Sequence, residues 1–184
     1  MKKLIQKIES EQIEILNISL KNGSLDSYSH TIECDKLENY MNIDIRKSDK
    51  FKDLFLKLKS MKGPVIYTFK ILSGNEHKEI REKLIAYKGT KDPRASSALR
   101  KYTVPGSSYL YVGKVKSNIS GRIINHLGYS KNKDTSGLQL FHWTKELGLK
   151  LELSITEFIP EMADLMGVIE LKVAQNYHPI IGKH

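Results

Sequence analysis

Residues 109–128, YLYVGKVKSNISGRIINHLG, constrain this chain more than any other stretch. A β-branched and aromatic run leads to a glycine, and an apolar pattern with helical spacing follows. The segment therefore predicts a strand that turns into a helix. Tyr109, Tyr111, Lys114, Lys116, Arg122 and His126 cluster along it with no acidic residue among them. Strand alternation predicts Tyr109, Tyr111 and Gly113 on one side. The four-residue spacing of Arg122 and His126 predicts one shared helical face. A glycine ending a strand is expected where the backbone approaches a ligand.

Charge is concentrated in the same region. Of a net +9, residues 1–60 hold eleven basic residues against ten acidic ones, whereas residues 88–133 hold ten basic residues against one acid, Asp92. A localised basic excess of this kind predicts a polyanionic partner. No apolar run is long enough to span a bilayer, so a membrane partner is not expected. The first residues lack the apolar block of a secretory signal. The single cysteine, Cys34, forms neither an internal disulfide nor a Cys-based zinc site, and a cytoplasmic location is expected.

Elsewhere, MKKLIQKIESEQIEILNISLKNG predicts an amphipathic helix running into Gly23, and a short strand is expected near Thr31–Cys34. SDKFKDLFLKLKSMKG predicts a helix capped by Ser48 or Asp49, with Phe51, Leu54, Phe55 and Leu58 on one stripe. PVIYTFKI predicts a strand paired with SYLYVGKV across a long polar insert, residues 73–107, in which HKEIREKLIAYKG is helical. SGRIINHLGYS is expected to be capped by Ser120. LQLFHWTKEL predicts a helix, with His142 and Trp143 in its packing stripe. LKLELSITEFI alternates strictly and predicts a half-buried strand. EMADLMGVIELKVAQNYH predicts a last helix, closed by Pro179. The fold class is thus α+β: a small central three-stranded, mostly antiparallel sheet flanked by helices. Residues 1–60 form an N-terminal helical extension, read as a brace, a dimer surface or a specificity module, and residues 61–184 form the main domain.

One carboxylate stands out. Glu170 has Met166, Gly167, Val173 and Ala174 as its neighbours at helical spacing, so it lies on a largely apolar face. That position is costly unless the carboxylate is paired, with Lys172 or Arg122, or binds a metal. A metal-holding carboxylate, an arginine, and a phenol or imidazole that takes a proton from water are the parts phosphodiester hydrolysis needs.

Val65-Ile66-Tyr67, then Tyr111-Val112-Gly113, Arg122, His126 and Glu170 in that order resemble the GIY-YIG endonuclease superfamily. The likeness covers roughly residues 62–184. It implies a divalent-metal-dependent DNA endonuclease, with the restriction-type members as the expected subclass. It implies Mg²⁺ (or Mn²⁺) on Glu170, and Tyr67 or Tyr111 as general base or relay, with Tyr67 favoured. Arg122 would stabilise transition-state charge, assisted by His126. Tyr109, offset by two, is expected to be structural. Lys88, Lys91, Arg94, Arg100, Lys101, Lys114 and Lys116 are the expected nucleic-acid contacts. DNA is the expected polymer, with RNA not excluded, and the chain would act as a monomer or a homodimer. Two departures stand against the pattern. The tyrosine triplets are separated by 43 residues, and Gly182 occupies the place where the family has Asn, with Asn176, Lys183 or His184 as replacements. The alternative is a catalytically impaired nucleic-acid-binding module with a nuclease fold.

Overall fold

The computed structural model describes residues 1–22, 24–39 and 43–183. Gly23 and His184 lie outside these, and with them the end expected for the first helix and one replacement expected for the missing Asn. The elements run α1 (Lys2–Asn22), β1 (Asp26–Glu33), α2 (Lys52–Ser60), β2 (Val65–Ile71), α3 (His77–Lys88), β3 (Tyr109–Val115), α4 (Ile119–Leu127), β4 (Lys150–Glu157) and α5 (Met166–Tyr177).

The sheet has four strands in the order β1-β4-β2-β3, and every neighbouring pair is antiparallel. The expected three strands are β2, β3 and β4. The fourth, β1, comes from the first sixty residues and pairs along its whole length with β4, from Asp26 opposite Glu157 to Glu33 opposite Lys150. Only Ile32 of β1 is buried, and this edge strand carries the polar residues expected at an exposed edge, which is why its pattern is faint in the sequence. The sheet and the core therefore both cross residue 60.

One face of the sheet carries the main core. Tyr67, Phe69, Leu151, Leu153 and Ile155 from the strands meet Leu54, Phe55 and Leu58 of α2, Ile80 and Leu84 of α3, and Ile123 and Leu127 of α4. Each fully buried Leu or Ile contributes about 1.5–3 kcal/mol. The opposite face is covered by a smaller cluster, where Ile66 packs on Ile159, Met162 and Met166, with Ile15 of α1 at its margin. No residue of α1 is buried.

Three local expectations are corrected. Neither Ser48 nor Asp49 caps α2. Its N-cap is Phe51, the Ser48 hydroxyl turns to Glu38, and the Ser48 carbonyl accepts from Phe51 and Lys52. The cap of α4 is Asn118 rather than Ser120: its backbone is left-handed (φ 56°) and its side chain accepts from the Gly121 N–H. The helix expected over residues 138–147 is two short 3₁₀ turns, Leu140–His142 and Lys145–Leu147. There the buried Gln139 takes a left-handed conformation and donates to the Ala95 and Thr135 carbonyls. Thr144 Oγ1 and Trp143 Nε1 bond to the Leu140 and Leu138 carbonyls, so these side chains compete with the helix for its backbone.

Candidate active site

Tyr67 and Gly113 are direct partners across β2 and β3. A Cβ on residue 113 would sit 2.4 Å from Tyr67 Oη and 2.6 Å from Tyr111 Cε1. Glycine is therefore required so that two phenol rings can lie over the strand. Gly113 stands within β3 rather than at its end, and the group that approaches it is a side chain of this chain. The register slips between Phe69 and Lys70, so that Phe69 faces Tyr111 while Lys70 faces Tyr109. This bulge places Tyr109 and Tyr111 on opposite sides, against the alternation expected from sequence. Tyr109 stacks on Tyr177 of α5 at 3.9 Å, which makes it structural.

Helix α4 brings Arg122 and His126 to the Tyr111 side. The Leu138 N–H donates to His126 Nδ1 at 3.1 Å, so the ring proton sits on Nε2, which donates to Tyr67 Oη at 2.9 Å. Arg122 Nε donates to the same oxygen at 3.1 Å, Nη2 donates to Tyr111 Oη at 3.2 Å, and Nη1 donates to the Ser136 carbonyl at 2.5 Å. The described residues place no carboxylate against Arg122. This half-buried cation is held by three neutral oxygens. Burial works against its charge, but the Tyr67 and Tyr111 hydroxyls outweigh that and hold its pKa above the ordinary value.

Tyr67 is 1% exposed and His126 is 0% exposed. Burial, with the Tyr111 hydroxyl beside it, pushes the Tyr67 phenol up despite the opposing pull of Arg122. Burial and then the Arg122 charge push His126 well below the ordinary imidazole value. His126 is thus a neutral donor with no free basic nitrogen. Its geometry suits it to orienting Tyr67.

Tyr111, Arg122 and Glu170 line one cavity of about 310 Å³ at the β3 edge of the sheet. Glu170 reaches it from α5 with its side chain 12% exposed, and Lys114 Nζ lies 3.6 Å from Oε2. Lys114 is thus an ion-pair partner of Glu170 that the sequence reading, which weighed Lys172 and Arg122, did not name. The cavity is closed by chain stitched onto β3. The Ile180 and Ile181 N–H groups donate to the Tyr109 and Leu110 carbonyls, and the Gly182 N–H donates to the Ala98 carbonyl. Tyr67 is absent from the cavity wall and stands behind Tyr111 and Arg122. Gly182 has φ +144°, a conformation that L side chains rarely adopt, so this backbone would strain an Asn.

Among the described residues, no three His, Cys, Asp or Glu side chains gather as a metal cluster. A single partly buried carboxylate beside a cavity nonetheless fits Mg²⁺, which keeps several waters and takes one or two carboxylates together with substrate phosphates.

The expected nucleic-acid contacts divide into two groups. Arg94 is a clasp within the protein: it donates to Gln139 Oε1 and to the Ser130 and Asn132 carbonyls. Lys88 donates to the Ser97 carbonyl, Lys116 pairs with Asp164 at 2.7 Å, and Lys114 lies by Glu170. Lys91 and Lys101 are exposed, and Arg100 and Lys101 line a second cavity next to the first. Sequence reasoning missed the Ser136 carbonyl and Leu138 N–H that fix Arg122 and His126, because backbone groups leave no residue-type signal. Comparison of the chain with protein-family models, with curated proteins and with solved structures finds no match.

Proposed function

We propose that the chain is a divalent-metal-dependent DNA endonuclease, with the restriction type as the leading subclass. The observation that carries this reading is the cavity that joins Arg122, Tyr111 and Glu170. A guanidinium satisfied only by neutral oxygens faces the same space as a carboxylate, which suits a phosphate bound between the arginine and a metal. The order of Tyr67, Tyr111, Arg122, His126 and Glu170 supports it through the resemblance to GIY-YIG nucleases.

Glu170 would hold Mg²⁺ or Mn²⁺, which when bound polarises the phosphate and stabilises the leaving oxygen. Arg122 binds a non-bridging phosphate oxygen and offsets the charge that grows there. Tyr111, the phenol at the cavity wall, faces the attacking water, and Tyr67 stands behind it. Tyr67 accepts a proton only as its phenolate, formed by loss of its own proton by way of Tyr111 to solvent; burial opposes that loss, and the two N–H groups on Oη stabilise the charge it leaves. Water adds to phosphorus, its proton passes by way of Tyr111 to the Tyr67 phenolate, and the P–O3′ bond breaks. The O3′ atom is protonated from solvent, leaving 5′-phosphate and 3′-hydroxyl ends.

Arg122→Lys keeps the charge and loses the fork that reaches two phenols and a carbonyl. We expect cleavage of a labelled oligonucleotide to fall by at least ~10²-fold, in the range for loss of one transition-state donor, while binding by filter retention changes little. Unchanged cleavage would remove Arg122 from the mechanism. A non-catalytic nucleic-acid-binding module is the second reading, favoured by Gly182, and it predicts binding without cleavage in every metal.

A further inference from the structure

Beside the Glu170 cavity lies another of about 440 Å³, lined by Arg100, Lys101, Tyr102 and Lys183 among others, with no Asp or Glu among the described residues of its wall. The two cavities share Ala98, Gly182 and Lys183. Among the described residues other than its chain neighbours, no heavy atom lies within 4 Å of the place a Cβ on Gly182 would take. Tyr102 is 76% exposed, and Lys101 Nζ lies over its ring, 5.3 Å from the centroid.

We propose that this second cavity is a subsite for one unpaired nucleotide of the strand being cut, adjacent to the scissile phosphate. The choice of polymer rests on the nuclease reading above. Tyr102 is the stacking platform, and Arg100, Lys101 and Lys183 hold the flanking phosphate. An exposed aromatic ring among cations binds a base by its face and a backbone by its charge. The volume is in the range of small-ligand pockets. The walls are held in place. Arg81 Nη1 donates to the Arg100 carbonyl at 2.8 Å, and the Arg100 N–H donates to the Ile180 carbonyl at 3.2 Å. The Ile181 N–H in turn donates to the Leu110 carbonyl of β3. These bonds tie Arg100, two residues before the platform, to the strand that carries Tyr111. A base must leave its duplex partner to present a face there, so the subsite takes a base flipped out of the duplex that is cut, and an already unpaired strand, which is spared that cost, binds it more tightly.

The test uses the full chain in EDTA, where metal-dependent cleavage is off. The probe is a short DNA strand with 2-aminopurine at successive positions, compared with its duplex. We expect fluorescence quenching with the strand, retained in Tyr102→Phe and lost in Tyr102→Ala, whose Kd weakens by about 5- to 100-fold, the range for loss of one base–aromatic stack. The duplex should bind more weakly than the strand. Equal binding and quenching by Tyr102→Ala, equal affinity for the duplex, or no binding of the strand would overturn the subsite. Because quenching is read without turnover, failure of the nuclease reading appears separately, as absence of Mg²⁺-dependent cleavage by the unmodified chain.

Discussion

At the scale of single residues, His126 has both ring nitrogens committed, one to a backbone N–H and one to Tyr67, and it is fully buried. An unfolded histidine titrates near about 6.5, and this one titrates well below that when folded. Between those values the unfolded chain binds a proton that the fold rejects. Stability from this group is therefore complete above the unfolded pKa and falls as pH drops below it, by at most about 1.4 kcal/mol per pH unit. Burial also lowers His30 and His142, which act in the same direction. The measurement is thus a difference: urea midpoints of the parent and of His126→Gln between pH 4.5 and 7.5. The parent should lose stability more steeply toward acid. Parallel curves would mean that His126 accepts a proton in the fold.

At the scale of elements, β3 is shaped by what lies over it. Gly113→Ala puts a methyl where Tyr67 Oη and Tyr111 Cε1 already stand. The overpacking should cost about 1–3 kcal/mol by thermal or urea melting, with cleavage lost alongside. A variant of unchanged stability would mean that the two rings have room to move. The same strand marks how far the sequence could be read. Alternation in β4 and the apolar stripe of α2 are local signals, and both elements formed where those signals lay. Tyr111 and Arg122 were legible as neighbours because each sits on a regular element. The side on which Tyr109 lies was misread, though not its structural role, because the bulge between Phe69 and Lys70 depends on pairing, which single-strand alternation does not contain. Asn118 and Gln139 hold left-handed backbones at positions where Ser120 and a regular helix were expected, and tertiary contacts around Gln139 decide that conformation. The strand β1 is faint because one side of it faces water.

At the scale of the whole molecule, the basic excess is partly spent inside the protein. Arg94 clasps a loop and Lys116 pairs with Asp164, while Arg100, Lys101 and Lys183 gather beside the candidate active site. Nucleic-acid binding should weaken linearly in log–log salt plots, and Lys101→Ala should lower the slope by about one, the share of one phosphate contact. An unaltered slope would move the binding track elsewhere on the surface. The central claim is that Glu170 and Arg122 face one bound phosphate. Plasmid cleavage with Mg²⁺ or Mn²⁺, run beside Glu170→Ala and an EDTA control, tests it most directly. The account predicts metal-dependent cleavage by the parent that disappears with Glu170→Ala. Full metal-dependent cleavage by Glu170→Ala would contradict it.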